Sequence, residues 1–95
     1  MEIPKQLQEE ALGKINAIGI HDDWWLITFD VKFVIDIQET HSISLFVQFR
    51  NKAYPRYIES FHNEASIFSV ALKATVEEIQ ERLLGIEIKD NNDNN

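Results

Sequence analysis

The chain has no cysteine, and only three glycines and two prolines stand among its 95 residues. Without cysteine neither a disulfide nor a thiolate metal site can form, so a packed core must carry the stability. Three glycines are too few for most cofactor cradles, and neither a glycine-rich phosphate loop nor a nucleophile elbow is present. No apolar run approaches the roughly 20 residues that span a bilayer. Met1 to Leu12 has neither the basic start nor the apolar stretch of a signal peptide, which predicts a cytoplasmic protein with no membrane partner. Cations are scarce too: 9 Lys and Arg face 16 Asp and Glu, giving a net charge of −7. Phosphate backbones are held mainly by cations, so nucleic acid is disfavoured and a basic protein surface is the expected partner.

Apolar residues make up 44% of the chain and aromatics 11%, enough to build a core in a chain of single-domain length. Ile3, Leu7, Ala11, Ile15 and Ile18 recur at helical spacing behind Pro4, with Leu12 beside the stripe. Gly19-Ile20 reads as the left-handed stop of this first helix, and Gly13 is a weak point within it. After His21-Asp22-Asp23 the period changes to two. Trp25, Ile27, Phe29, Val31, Phe33, Ile35 and Ile37 share one face, and Ile43, Leu45, Val47 and Phe49 repeat the pattern, which predicts a long hairpin.

Opposed strand residues share a face, so paired numbers sum to an even value. A sum of 80 sets Ile35 against Leu45, Phe33 against Val47, Asp30 against Arg50 and Val34 against Phe46, around a loop of Glu39, Thr40 and His41 or a five-residue opening. Asn51 to Tyr57, with Pro55, reads as a loop or an edge, and Arg56 to Phe61 as a short third strand. A second helix is expected from Asn63 or Ser66 to Leu84, with Ala65, Phe68, Leu72, Val76, Ile79 and Leu83 on one stripe and Gly85-Ile86 at its end. The expected fold is therefore α+β, ordered α-β-β-β-α, with the C-terminal helix packed on one sheet face. It forms one domain over residues 1–89, followed by a disordered acidic and Asn-rich tail at 90–95.

Candidate chemistry is sparse. His21, His41 and His62 lie apart, and the adjacent carboxylates Glu9-Glu10, Asp22-Asp23 and Glu77-Glu78 diverge on their elements. No metal, cofactor or enzyme activity is expected. Acids outnumber cations in residues 1–50 and 73–95, while 51–72 is balanced. Along the second helix, Lys73 can pair with Glu77, and Glu78 with Arg82. The expected function is a non-enzymatic protein-binding module that masks a basic surface, as inhibitors, immunity proteins and antitoxins do, with Asp22, Asp23, Glu77, Glu78 and Glu81 as contacts.

Two other readings use different residues. Arg50, Lys52, Tyr54, Arg56 and Tyr57 interleave cations with aromatics, a pattern suited to single-stranded nucleic acid or an acidic partner. With Trp25 turned inward, Trp24, Leu26, Val34 and Phe46 form an outer apolar strip, for which the first helix is the expected cover. Left bare, that strip or the edge near Tyr54 would pair copies of the chain.

The element order resembles that of double-stranded RNA-binding domains. Those domains place a lysine cluster at the start of the final helix, where Asn63-Glu64-Ala65-Ser66-Ile67-Phe68 carries no cation. Ala71-Leu72-Lys73 followed by Glu77-Glu78-Ile79 is similar to the helix of HicB-type antitoxins. The glycine and proline features that family has in the strands before this helix are absent, so neither resemblance carries a function to this chain.

Overall fold

In the computed structural model, which describes residues 3–85, the elements are α1 (Lys5–Asn16), β1 (Trp24–Ile35), β2 (His41–Asn51), β3 (Ile58–Ala65) and α2 (Phe68–Leu84). The tail at 90–95 and Ile86 lie outside the described residues. The strands form an antiparallel sheet in the order β1-β2-β3. β2 takes the middle because Leu45, Val47 and Phe49 are almost fully buried on one of its faces. Phe61 of β3 meets Phe49 edge to face at 6.1 Å, and Phe68, Leu72 and Ile79 of α2 join them in one core cluster. Ala11 and Ile15 bring α1 into the same cluster, so both helices lie on one side of the sheet. The first helix therefore does not cover the outer face, contrary to the sequence-based expectation.

The hairpin register differs from the predicted sum of 80. From Thr28 to Ile35 the partners sum to 76, with Phe29 opposite Val47, Val31 opposite Leu45 and Phe33 opposite Ile43. Asp30 faces Phe46 instead of Arg50, and Val34 faces Ser42 instead of Phe46. The loop sets this shift. The Asp36 carboxylate accepts the N–H groups of Gln38 and Thr40 at 2.9 Å, and the Asp36 N–H donates to the Thr40 carbonyl. Ile37, Gln38 and Glu39 are left as a three-residue loop, with Glu39 in the left-handed region at φ 62°. A non-glycine residue there is strained by about 1 kcal/mol or more. Glu39→Gly is therefore expected to raise stability by about 0.5–1 kcal/mol, net of the unfolded-state entropy of glycine. A higher urea midpoint at unchanged slope would show it.

At the other end of β1 the pairing slips by one residue between Leu26 and Thr28, leaving Ile27 as a bulge. An extra residue resets the alternation, so Trp24 and Leu26 join Phe29, Val31 and Phe33 on the helix side. Trp24 is 8% exposed and Trp25 49%, which reverses the predicted assignment of the two tryptophans. Trp24 packs edge to face on Tyr57 at 5.5 Å, while Trp25 lies on the outer side with the Lys52 ammonium 5.8 Å from its ring centroid.

Smaller corrections concern the helices and β3. Gly19, at φ 88°, turns the chain after α1, and Gly13 is accommodated within the helix. β3 continues to Ala65, so neither Asn63 nor Ser66 caps α2, whose N-cap is Ile67 without a side-chain hydrogen bond. Asn63 instead ties β3 to α2, donating to Thr75 Oγ1 at 3.0 Å and to Glu78 at 3.1 Å. Gly85 closes α2 in the left-handed region, as the sequence predicts.

Candidate functional site

The acidic positions do not converge. Asp22 and Asp23 are exposed in the turn before β1, where the Asp23 carbonyl accepts the Lys52 N–H at 2.8 Å. Glu77, Glu78 and Glu81 lie on α2, which packs over β3 and β2. Glu78 is committed to Asn63, and Arg82 to Glu59 at 3.1 Å, so the predicted Glu78–Arg82 pair is not formed. Glu77 lines an open groove of about 600 Å³ between the helices. There Glu10, Lys14, Lys73 and Glu77 surround an apolar floor of Ile18, Leu72 and Val76, a mixed rim rather than an acidic one.

The basic segment is largely tied to its own fold. Arg50 donates to the Pro55 carbonyl at 2.6 Å, and Lys52 Nζ donates to the His21 carbonyl. The Asn51 side chain accepts the N–H groups of Ala53 and Tyr54, fixing the turn. Tyr54 and Arg56 are exposed. Tyr57 is half exposed beside Glu59, whose hydrogen bonding and negative charge hold the phenol pKa above its ordinary value, with Arg82 opposing. Trp24, predicted on the outer face, is a core residue.

The outer face of the sheet is a polar ladder around Phe46. Thr28 donates to Gln48 at 2.8 Å, Gln48 to Ser60 at 3.1 Å, and Ser42 to Glu64 at 2.8 Å. Ser44 Oγ and His62 Nε2 lie 2.8 Å apart, the spacing of a nucleophile and its base. Ser44 is only 2% exposed, however, and no hydrogen bond among the described residues orients the other ring nitrogen of His62. No cluster of three or more metal-binding side chains occurs among the described residues. Nor is any described helix long and apolar enough to cross a membrane.

The two edges of the sheet are finished differently. Along β3, Arg82 donates to the Ser60 carbonyl at 2.9 Å and stacks 4.1 Å from the centroid of Phe61, so a helix side chain takes one carbonyl of that edge. β1 is the opposite edge and, among the described residues, pairs only with β2. Its helix-side residues Leu26, Phe29 and Val31 pack against the core but, like Phe33, stay only half-buried, and Ile35 is 59% exposed, since α2 packs mainly over β3 and β2. Asp30 and Lys32 stand exposed on its outer side. A long, half-exposed apolar edge is a template for another strand. Sequence reasoning assigned Phe29, Val31, Phe33 and Ile35 to the buried face and Leu26 to the outer strip rather than to a shared contact edge, although twelve strand residues with only two charges, Asp30 and Lys32, were a visible signal.

No protein-family model, curated protein or solved structure matches this chain.

Proposed function

We propose that the chain is a small, acidic, non-enzymatic protein-binding module whose contact surface is the β1 side of its sheet. The observation that carries this reading is the β1 edge: among the described residues its outward backbone is unpaired beside a half-exposed apolar strip, whereas on the β3 edge Arg82 takes the Ser60 carbonyl. Such an edge binds by strand addition, with main-chain hydrogen bonds giving affinity and alternate side chains giving selectivity. The burial of Ser44 and the divergence of the carboxylates support a binding role over a catalytic one. The net charge of −7 belongs to the whole molecule and does not mark where a partner docks.

Affinity capture from the source cell, read by mass spectrometry, tests the reading with three baits. Phe33→Glu places a charge on the β1 strip and is expected to reduce capture of the partner about tenfold or more. The double variant Glu77→Lys/Glu81→Lys is expected to retain the partner. The opposite pattern would move the contact surface to the acids of α2 and end the β1 reading.

A further inference from the structure

Resting on the reading of β1 as the contact surface, we infer that the strand it takes is β1 of a second copy. The pairing would be antiparallel about a two-fold axis at Val31, joining two sheets into one of six strands. Self-pairing places each residue opposite the one whose number completes a constant sum, and paired residues must share a face. An axis at Asp30 would set Asp30 against itself, and one at Lys32 would set Lys32 against itself, both repulsive. The axis at Val31 sets Asp30 opposite the partner's Lys32, and by symmetry Lys32 opposite the partner's Asp30. Opposite charges thus meet twice on the outer side. On the helix side the same register sets Phe29 opposite the partner's Phe33, with the two copies of Val31 between them.

The backbone agrees with this axis. The bond from the Asp36 N–H to the Thr40 carbonyl fixes the alternation of the β1–β2 ladder. It follows that Phe29, Val31 and Phe33 turn their N–H and C=O groups away from β2, toward the open edge. Those groups supply about six hydrogen bonds across the axis. The regular part of β1 runs from Thr28, after the bulge at Ile27, to Ile35, and Val31 lies near its centre. The helices pack mainly away from this stretch: α2 lies over β3 and β2, and α1 joins α2 and the Trp24 end of β1 in the core.

Light scattering on a sizing column and sedimentation equilibrium of the purified full chain test the inference. At roughly 100 μM, where a contact with a Kd of about 10 μM is mostly formed, the wild type is expected to be dimeric. Asp30→Lys and Lys32→Asp alone are each expected to weaken the dimer roughly tenfold to a hundredfold, because both cross-strand pairs become like-charged. An equimolar mixture of the two variants restores opposite charges and should dimerise, as should the double variant Asp30→Lys/Lys32→Asp. Circular dichroism of each variant confirms that these exposed positions leave the fold intact. A monomeric wild type overturns the inference, and so does a dimer indifferent to both single reversals. A monomer whose partner capture is still lost in Phe33→Glu would keep β1 as the binding surface and reject only the second copy as its occupant.

Discussion

Trp24→Glu is expected to unfold the domain at room temperature, whereas Trp25→Glu leaves it folded. Trp24 lies in the core cluster with Ala11, Ile15, Ile20 and Phe49, and it is 8% exposed. Removing a tryptophan from such a site costs about 3–5 kcal/mol, and a carboxylate placed there adds several more unless it takes up a proton. Against the roughly 5–15 kcal/mol of a typical small domain, little or nothing remains. Trp25 is half exposed, and its main described contact is the Lys52 ammonium at 5.8 Å, an interaction of about 0.5–1 kcal/mol at a wet site. A glutamate can face the same ammonium, so the net change stays within about 1 kcal/mol. Urea titrations followed by far-ultraviolet circular dichroism separate the two variants. If Trp25→Glu proved the more damaging, the bulge at Ile27 would be misplaced. The same burial means that Trp24→Glu reports on stability and not on pairing between copies.

The element order, the α+β class and the identity of the inner face from Phe29 to Phe33 were legible in the sequence, because a period of two over many residues leaves little choice of face. The register was not. Parity excludes odd sums but leaves 76 and 80 equally open, and what decides is the side chain of Asp36, which closes the loop through Gln38 and Thr40. Nor was the bulge visible. Trp24, Trp25, Leu26 and Ile27 are all apolar, so the pattern is silent where the alternation shifts. The start of α2 was misread for a related reason. Asn63 and Ser66 have the chemistry of N-caps, yet Asn63 is claimed by Thr75 and Glu78 across the core boundary. Tertiary contacts of this kind leave no periodic trace.

The candidate surface follows the same division. Acidic and basic residues were countable, but their use was not. Arg82 could be paired with Glu78 on helical spacing, whereas the fold spends it on Glu59, Ser60 and Phe61 at the β3 edge. That choice engages the middle of the β3 edge, whereas no such contact meets β1 among the described residues. Which strand becomes the free edge depends on where the helices pack, a property of the assembled layers rather than of any one segment.

Two single-residue deletions should have opposite outcomes, and together they test how the sheet is assembled. Deleting Gln48 from the central strand moves one half of β2 by one position and turns Phe49 or Val47 to the outer side. Since these are among the most buried residues of the core, the deletion is expected to abolish folding, at a cost above about 4 kcal/mol. Deleting Ile27 removes the residue that has no partner. Leu26 opposite Phe49 would then run directly into Thr28 opposite Gln48, with Trp24 and Leu26 still inward and Trp25 still outward. The ladder becomes regular without turning any core side chain over, so the fold should survive with a change of about 1 kcal/mol or less. Thermal and urea unfolding of both deletions gives the answer. A cooperative transition in the Ile27 deletion alone would establish that Ile27 is the extra residue of β1 and that the rest of the ladder keeps its alternation without it, and a strand free of the bulge would present a longer straight edge to a partner.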